Sequence, residues 1–126
     1  MLGRFFKLLN ACPCCGHFVF VNYGSYDICP ICFWEDDWTQ LQYPFTDGGT
    51  NQVSLAVAQI NYVQFAACRF DLIKNVRIPL GNEYLDDRWF PLWAKAIKWK
   101  GFEIDHEQSS LEPDVSPQFI PYWLNN

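Results

Sequence analysis

Apolar residues in this chain come in short runs broken by turn residues, and one long stretch keeps a helical period. Leu55, Ala58, Tyr62, Phe65 and Ala66 recur at that spacing, with Gln59, Asn61 and Gln64 as polar relief. Asn51 or Ser54 can cap the start, so the pattern predicts a helix running to about Cys68. The segment carries no charge, which implies burial on more than one side. Earlier, His17–Val21 (HFVFV) is rich in β-branched and aromatic residues and reads as a strand. Asn22, Tyr23, Gly24 and Ser25 supply turn chemistry, and Tyr26, Asp27 and Ile28 lead back. The expected unit is a hairpin with a cysteine pair at each end. Residues 33–50, punctuated by Pro44, Gly48 and Gly49, read mostly as loop.

Asn75 to Pro79 reads as a short extended stretch. A second helix is expected from Pro91 to Lys100, with Pro91 in its first turn and Gly101 after its last. Lys95, Lys98 and Lys100 suit its negative C-terminal end. Phe102–Ile104 reads as a last strand. Beyond Gln108, Pro113, Pro117 and Pro121 prevent a regular helix, while Phe119, Ile120, Tyr122, Trp123 and Leu124 are apolar enough to pack. Phe5, Phe6, Leu8 and Leu9 of the lead-in are apolar as well. At 126 residues the chain has the size of one domain. The expectation is an α+β fold: a small metal-binding hairpin, ribbon- or knuckle-like, packed with two helices and an aromatic C-terminal tail. Residues 11–79 form its metal-binding part and 80–126 an extension packed on it.

Charge narrows the functional classes. The formal net charge is -5, which disfavours a nucleic-acid binder, because lysine and arginine supply the phosphate affinity. No Lys or Arg occurs between Lys7 and Arg69, where Asp27, Glu35, Asp36, Asp37 and Asp47 lie. A second acidic flank follows Lys100, and all the basic residues except Arg4 and Lys7 sit between the two. No apolar run approaches the roughly 20 residues of a membrane span. The opening MLGRFFKLLNAC, broken by Lys7, makes a poor signal peptide, so a cytoplasmic location is expected. Thiols stay reduced there, and six cysteines suit metal better than disulfides.

Four of those cysteines form two Cys-Pro-x-Cys pairs, Cys12/Cys15 and Cys29/Cys32. A two-residue gap lets two thiolates from one tight turn meet one ion about 2.3 Å away. Gly16 can take the positive φ that turns backbone N–H groups toward sulfur, whereas the second pair has Phe33 there. Thirteen residues separate the pairs, enough for one short hairpin. Four thiolates favour zinc, with iron less favoured, and leave no open coordination position, so the expected role is structural. A rubredoxin-like iron site for electron transfer is the redox alternative. Cys14, between two ligands, should point away from the ion, and Cys68 reads as a small apolar residue at a helix end. His17 and His106 are the only histidines. Neither is placed by the sequence beside Cys14 or Cys68, so no cysteine enzyme is expected; His17 reads as a strand residue rather than a substitute ligand.

The combination CPCCG at 12–16, YDICPICFWEDD at 26–37, GGTNQVSLAVAQINY at 48–62 and VRIP at 76–79 resembles the cysteine-rich CPCC family of small bacterial proteins. The resemblance covers about residues 11–79. It implies a genomic setting beside polymorphic toxins, where such small proteins often confer immunity, and it transfers no catalytic residue.

Trp34, Glu35, Asp36, Asp37 and Trp38 follow directly on the last cysteine. Two tryptophans and three carboxylates suit a protein-binding surface in which aromatics anchor and charge selects. With a four-thiolate zinc centre, residues 8–68 would carry about -7, suiting a basic toxin domain as partner. The other readings are tryptophans packed around the metal with solvated acids, or a Mg or Ca site on the carboxylates. The leading expectation is a non-enzymatic protein-binding module acting as an immunity protein. A zinc-ribbon accessory in transcription or translation, or an electron carrier, are the alternatives.

Overall fold

The computed structural model describes residues 9–92 of the chain. The lead-in up to Leu8, most of the expected second helix, the strand at 102–104, His106 and the apolar tail lie outside these residues.

Strands β1 (Asn10–Ala11) and β2 (Phe18–Phe20) pair antiparallel, with Asn10 opposite Phe20, Ala11 opposite Phe18 and an irregularity between them. The first cysteine pair is the turn that joins them. This corrects the expected hairpin, in which 17–21 would pair with 26–28 through the turn at 22–25. Residues 26–28 instead pair forward. Ile28 bridges Glu35, Tyr26 N donates to Asp36 O at 3.0 Å, and Asp36 N donates to Asp27 O at 2.9 Å. The cause is local: a Cys-Pro-x-Cys turn reverses the chain by itself, so each pair is flanked by its own short ribbon.

The segment expected to be mostly loop contains helix α1 (Trp38–Gln42), whose N-cap is Asp37. What orders the rest is a buried amide pair. The Asn51 side chain imitates a strand neighbour, accepting from Glu35 N and donating to Glu35 O, each at 2.8 Å. Its amide also donates to Gln40 Oε1 at 2.8 Å. Gln40 in turn donates to Val53 O at 2.8 Å and Thr46 O at 3.1 Å. With their polar atoms bonded, both amides can be buried at modest cost. Gly49 is required beside them, since a β-carbon there would lie 2.5 Å from the Gln40 side chain.

Helix α2 (Leu55–Phe65) starts at Ser54, one of the two caps anticipated, whose hydroxyl accepts from Val57 N at 3.1 Å. Leu55, Ala56, Ala58 and Gln59 are buried. The helix stops three residues before Cys68, because Ala66 adopts the left-handed conformation (φ 65°). A 3₁₀ helix, Phe70–Asn75, follows; the sequence pattern did not disclose it. Residues 76–80 are extended without a ladder, although Arg77 N reaches Ile31 O at 3.4 Å. The chain then returns to the first cysteine turn. Phe18 N donates to Tyr84 O at 3.0 Å, Leu85 bridges His17, and Asp86 N donates to Gly16 O at 2.7 Å.

Phe20, Ile31, Trp34, Leu41, Phe45 and Leu55 form one buried cluster with the cysteines. The described residues are thus an α+β arrangement of a small hairpin, a four-cysteine cluster and short helices. Among them, no helix is long and apolar enough to cross a membrane.

Candidate metal centre

The two cysteine turns are built alike. In the first, Cys12 N donates to His17 O at 2.8 Å and Gly16 N to Cys12 O at 2.7 Å. In the second, Cys29 N donates to Trp34 O at 2.8 Å and Phe33 N to Cys29 O at 2.9 Å. Gly16 takes φ 85° as its sequence position implies, but Phe33 takes φ 70° at the equivalent place. Phe33 therefore does not spoil the second turn. A left-handed phenylalanine costs about 1–2 kcal/mol; its ring packs against the buried cluster, which offsets part of that. At Gly16 no side chain could fit, since a β-carbon would sit 2.5 Å from Trp89 Cγ.

Facing one another, the turns bring Cys12, Cys15, Cys29 and Cys32 together with all sulfurs within 4.8 Å. Cys12 Sγ lies 3.6 Å from Cys32 Sγ, and Cys15 Sγ lies 3.8 Å from Cys29 Sγ. A tetrahedral ion with bonds of about 2.3 Å sets its sulfurs about 3.8 Å apart, so the donor set fits such an ion. All four side chains are fully buried, at 0 % exposure, and none of the six cysteines is joined in a disulfide.

Electrostatics favour a cation in the cluster. Burial pushes the thiols of Cys12, Cys15 and Cys32 well above the ordinary range; most of their sulfur neighbours raise them further, although one neighbour in each case acts the other way. At Cys29 burial acts the same way, but hydrogen bonds from Cys12, Cys15 and Cys32 outweigh it and hold that thiol low. Four thiolates in so dry a place require a multivalent cation to compensate them.

The remaining sulfurs turn elsewhere. Cys14 is buried and donates to Ala58 O on α2 at 3.4 Å. Cys68 is buried beyond the helix end, with its N–H on Cys32 O at 2.9 Å, and burial pushes its thiol up. His17 directs Nδ1 at the carbonyl of Glu83, 2.7 Å away, where the ring nitrogen must donate. It is not among the residues that converge on the metal position.

The segment after Cys32 differs from a continuous acidic aromatic surface. Trp34 is 1 % exposed and belongs to the core. Asp36 is buried, with Oδ2 accepting from Ser25 N and Ser25 Oγ, each at 3.0 Å. Burial raises its pKa against those two bonds. Asp37 is buried too, accepting from Gln40 N at 3.2 Å and Thr50 N at 3.0 Å. The tight reversal at Cys29–Phe33 feeds these side chains inward, where backbone donors meet them. Glu35 is half-buried and Trp38 is exposed, so of the five residues these two reach solvent.

Two residues matter more than their sequence context indicated. Gln59, read only as polar relief on a helix, donates to Pro13 O at 2.8 Å and accepts from Leu92 N at 2.7 Å. Trp89 donates to the same Pro13 carbonyl at 3.0 Å. They clamp the first cysteine turn from α2 on one side and the returning chain on the other. A glutamine among the few polar residues of an uncharged helix was the only available signal.

Comparison with curated proteins and with solved structures returned no significant match. A family model described as cysteine-rich CPCC matches residues 10–83, which include both cysteine turns, α2 and the chain's return toward His17. With that span exceeding half the chain, and with its paired cysteines converging on one position, the protein belongs to the cysteine-rich CPCC family.

Proposed function

We propose that this chain is a non-enzymatic, zinc-stabilised protein-binding module that acts as an immunity protein, blocking a cognate toxin. The observation that carries the reading is the closure of the centre. Four fully buried cysteines use every tetrahedral position, so a bound ion has no vacancy for substrate and serves the fold. Zinc is the ion of choice for such a set, and a cytoplasmic location keeps its thiols reduced. Acidic charge then makes a basic toxin domain the natural partner. The zinc-ribbon accessory reading needs a basic stripe. Arg69, Arg77 and Arg88 are instead paired with Asp71, Glu83 and Asp86 at 2.9, 2.7 and 2.8 Å. Lys74 is the one lysine or arginine outside an ion pair among the described residues.

Co-expression with the product of the adjacent gene tests the function: toxicity of that product alone, rescue of growth by this chain and a co-purifying complex are expected. Neither rescue nor complex would overturn it. Elemental analysis of the purified protein should find zinc; iron with reversible redox would replace the binder by an electron carrier.

A further inference from the structure

We infer that the outer face of the second cysteine ribbon, carrying Tyr26, Ile28 and Trp38 and edged by Asp27 and Glu35, docks a basic protein surface. The occupant is an apolar side chain flanked by lysine or arginine. The inference rests on the binding-module reading and says where that binding happens.

The ribbon has two sides. Its inner side is filled by Cys29, Cys32 and Trp34, all buried. Its outer side leaves Tyr26 52 %, Ile28 46 % and Trp38 44 % exposed. Ile28 and Glu35 are bridge partners, so an apolar and an acidic side chain stand directly opposite each other. Trp38 lies over Gly24, at the start of the same ribbon, so closely that a β-carbon there would come within 3.2 Å of its ring. An aromatic held against backbone on one face and open on the other is a preorganised anchor.

Charge decides the occupant. The acids of residues 69–88 that meet an arginine are Asp71, Glu83 and Asp86. Asp27 and Glu35 have no ion-pair partner among the described residues. Among the described residues, negative charge is therefore uncompensated beside the exposed aromatics. A second copy of the chain in a two-fold contact would set Asp27 and Glu35 against acidic copies of themselves, which is unfavourable. A phosphate backbone would be repelled for the same reason. A cationic protein surface satisfies both the apolar and the acidic groups.

The test uses the full-length, metal-loaded protein and the adjacent gene's product, with affinity read by calorimetry. Trp38→Ala should weaken binding at least about tenfold, as expected for a central anchor. Asp27→Lys with Glu35→Lys should weaken it by a similar or larger factor and slow association at low salt. Asp47→Lys, an equal charge change at an exposed site outside the ribbon, should stay within about threefold. Metal content and far-UV spectrum report whether each variant is folded, and Asp27→Lys, fully on the surface, covers any failure of the others. If the wild type binds and these variants bind equally well, the face is wrong while the function stands. If the wild type does not bind, both are overturned. A wild-type dimer abolished by Trp38→Ala would overturn the basic partner in favour of self-association.

Discussion

Asp36 and Asp37 are adjacent acids with different surroundings. At Asp37 burial alone would raise the pKa, but the backbone N–H groups of Thr50, Gln40 and Thr39 outweigh it and hold the carboxyl below the ordinary carboxylate range. A carboxyl depressed on folding stabilises the protein above the unfolded value near 3.9, and that stability is lost as pH falls through the folded value. Asp37→Ala should therefore cost about 1–2 kcal/mol at neutral pH, by removing the cap of α1 and the tie to Thr50. The difference from wild type should shrink below pH 4, measured by urea unfolding across pH 3–7. A constant difference at every pH would exclude the carboxylate as its origin. Neither role is visible in the run Glu35-Asp36-Asp37, which reads as an acidic binding surface or as solvated charge. Only the folded backbone determines which N–H groups arrive within reach.

Among the elements, α2 was the most legible, because an uncharged periodic run names a helix; of the two caps the sequence offered, Asn51 and Ser54, the fold uses Ser54. Its end was not. Ala66 at φ 65° terminates the helix, with its N–H on Tyr62 O at 2.8 Å, where glycine would be the ordinary choice. Tertiary contacts hold it there, since Asn61 Nδ2 donates to Cys68 O at 2.9 Å and Cys68 N reaches Cys32 O. Ala66 is exposed, so Ala66→Gly removes the left-handed penalty with little loss of packing. It should stabilise the protein by about 1 kcal/mol, seen as a raised denaturation midpoint. A lowered midpoint would mean that the left-handed turn is not where the helix ends in solution. The cysteine hairpin was legible as chemistry but misassigned as pairing. A strand of HFVFV type fits any antiparallel neighbour, and β1 spans only Asn10 and Ala11, too short to announce itself.

At the scale of the whole molecule, the cluster brings the two cysteine turns together at the centre of the described residues. The first turn is clamped to α2 through Cys14 and Gln59 and to the returning chain through Trp89. The second turn is tied to the helix exit through Cys32 and Cys68. With an ion bound as proposed, its removal would leave four buried sulfurs to protonate and would let the two turns separate. A strong chelator, or Cys29→Ser, should therefore abolish the cooperative unfolding transition, and added Zn²⁺ should restore it in the chelated wild type. A metal-free protein with an unchanged transition would show that apolar packing suffices.

The sequence by itself determined which four cysteines converge, their two-by-two spacing, the neutral helix and the excess of acid. All of these depend on residue type at short separation. Only the tertiary structure decided that Trp34, Asp36 and Asp37 turn inward while Trp38 and Glu35 reach solvent, and that Phe33 serves where glycine was expected. It also decided that Gln59 and Trp89 share one carbonyl 46 and 76 residues away. Those outcomes depend on which backbone groups meet across the fold, and a linear pattern does not encode such meetings.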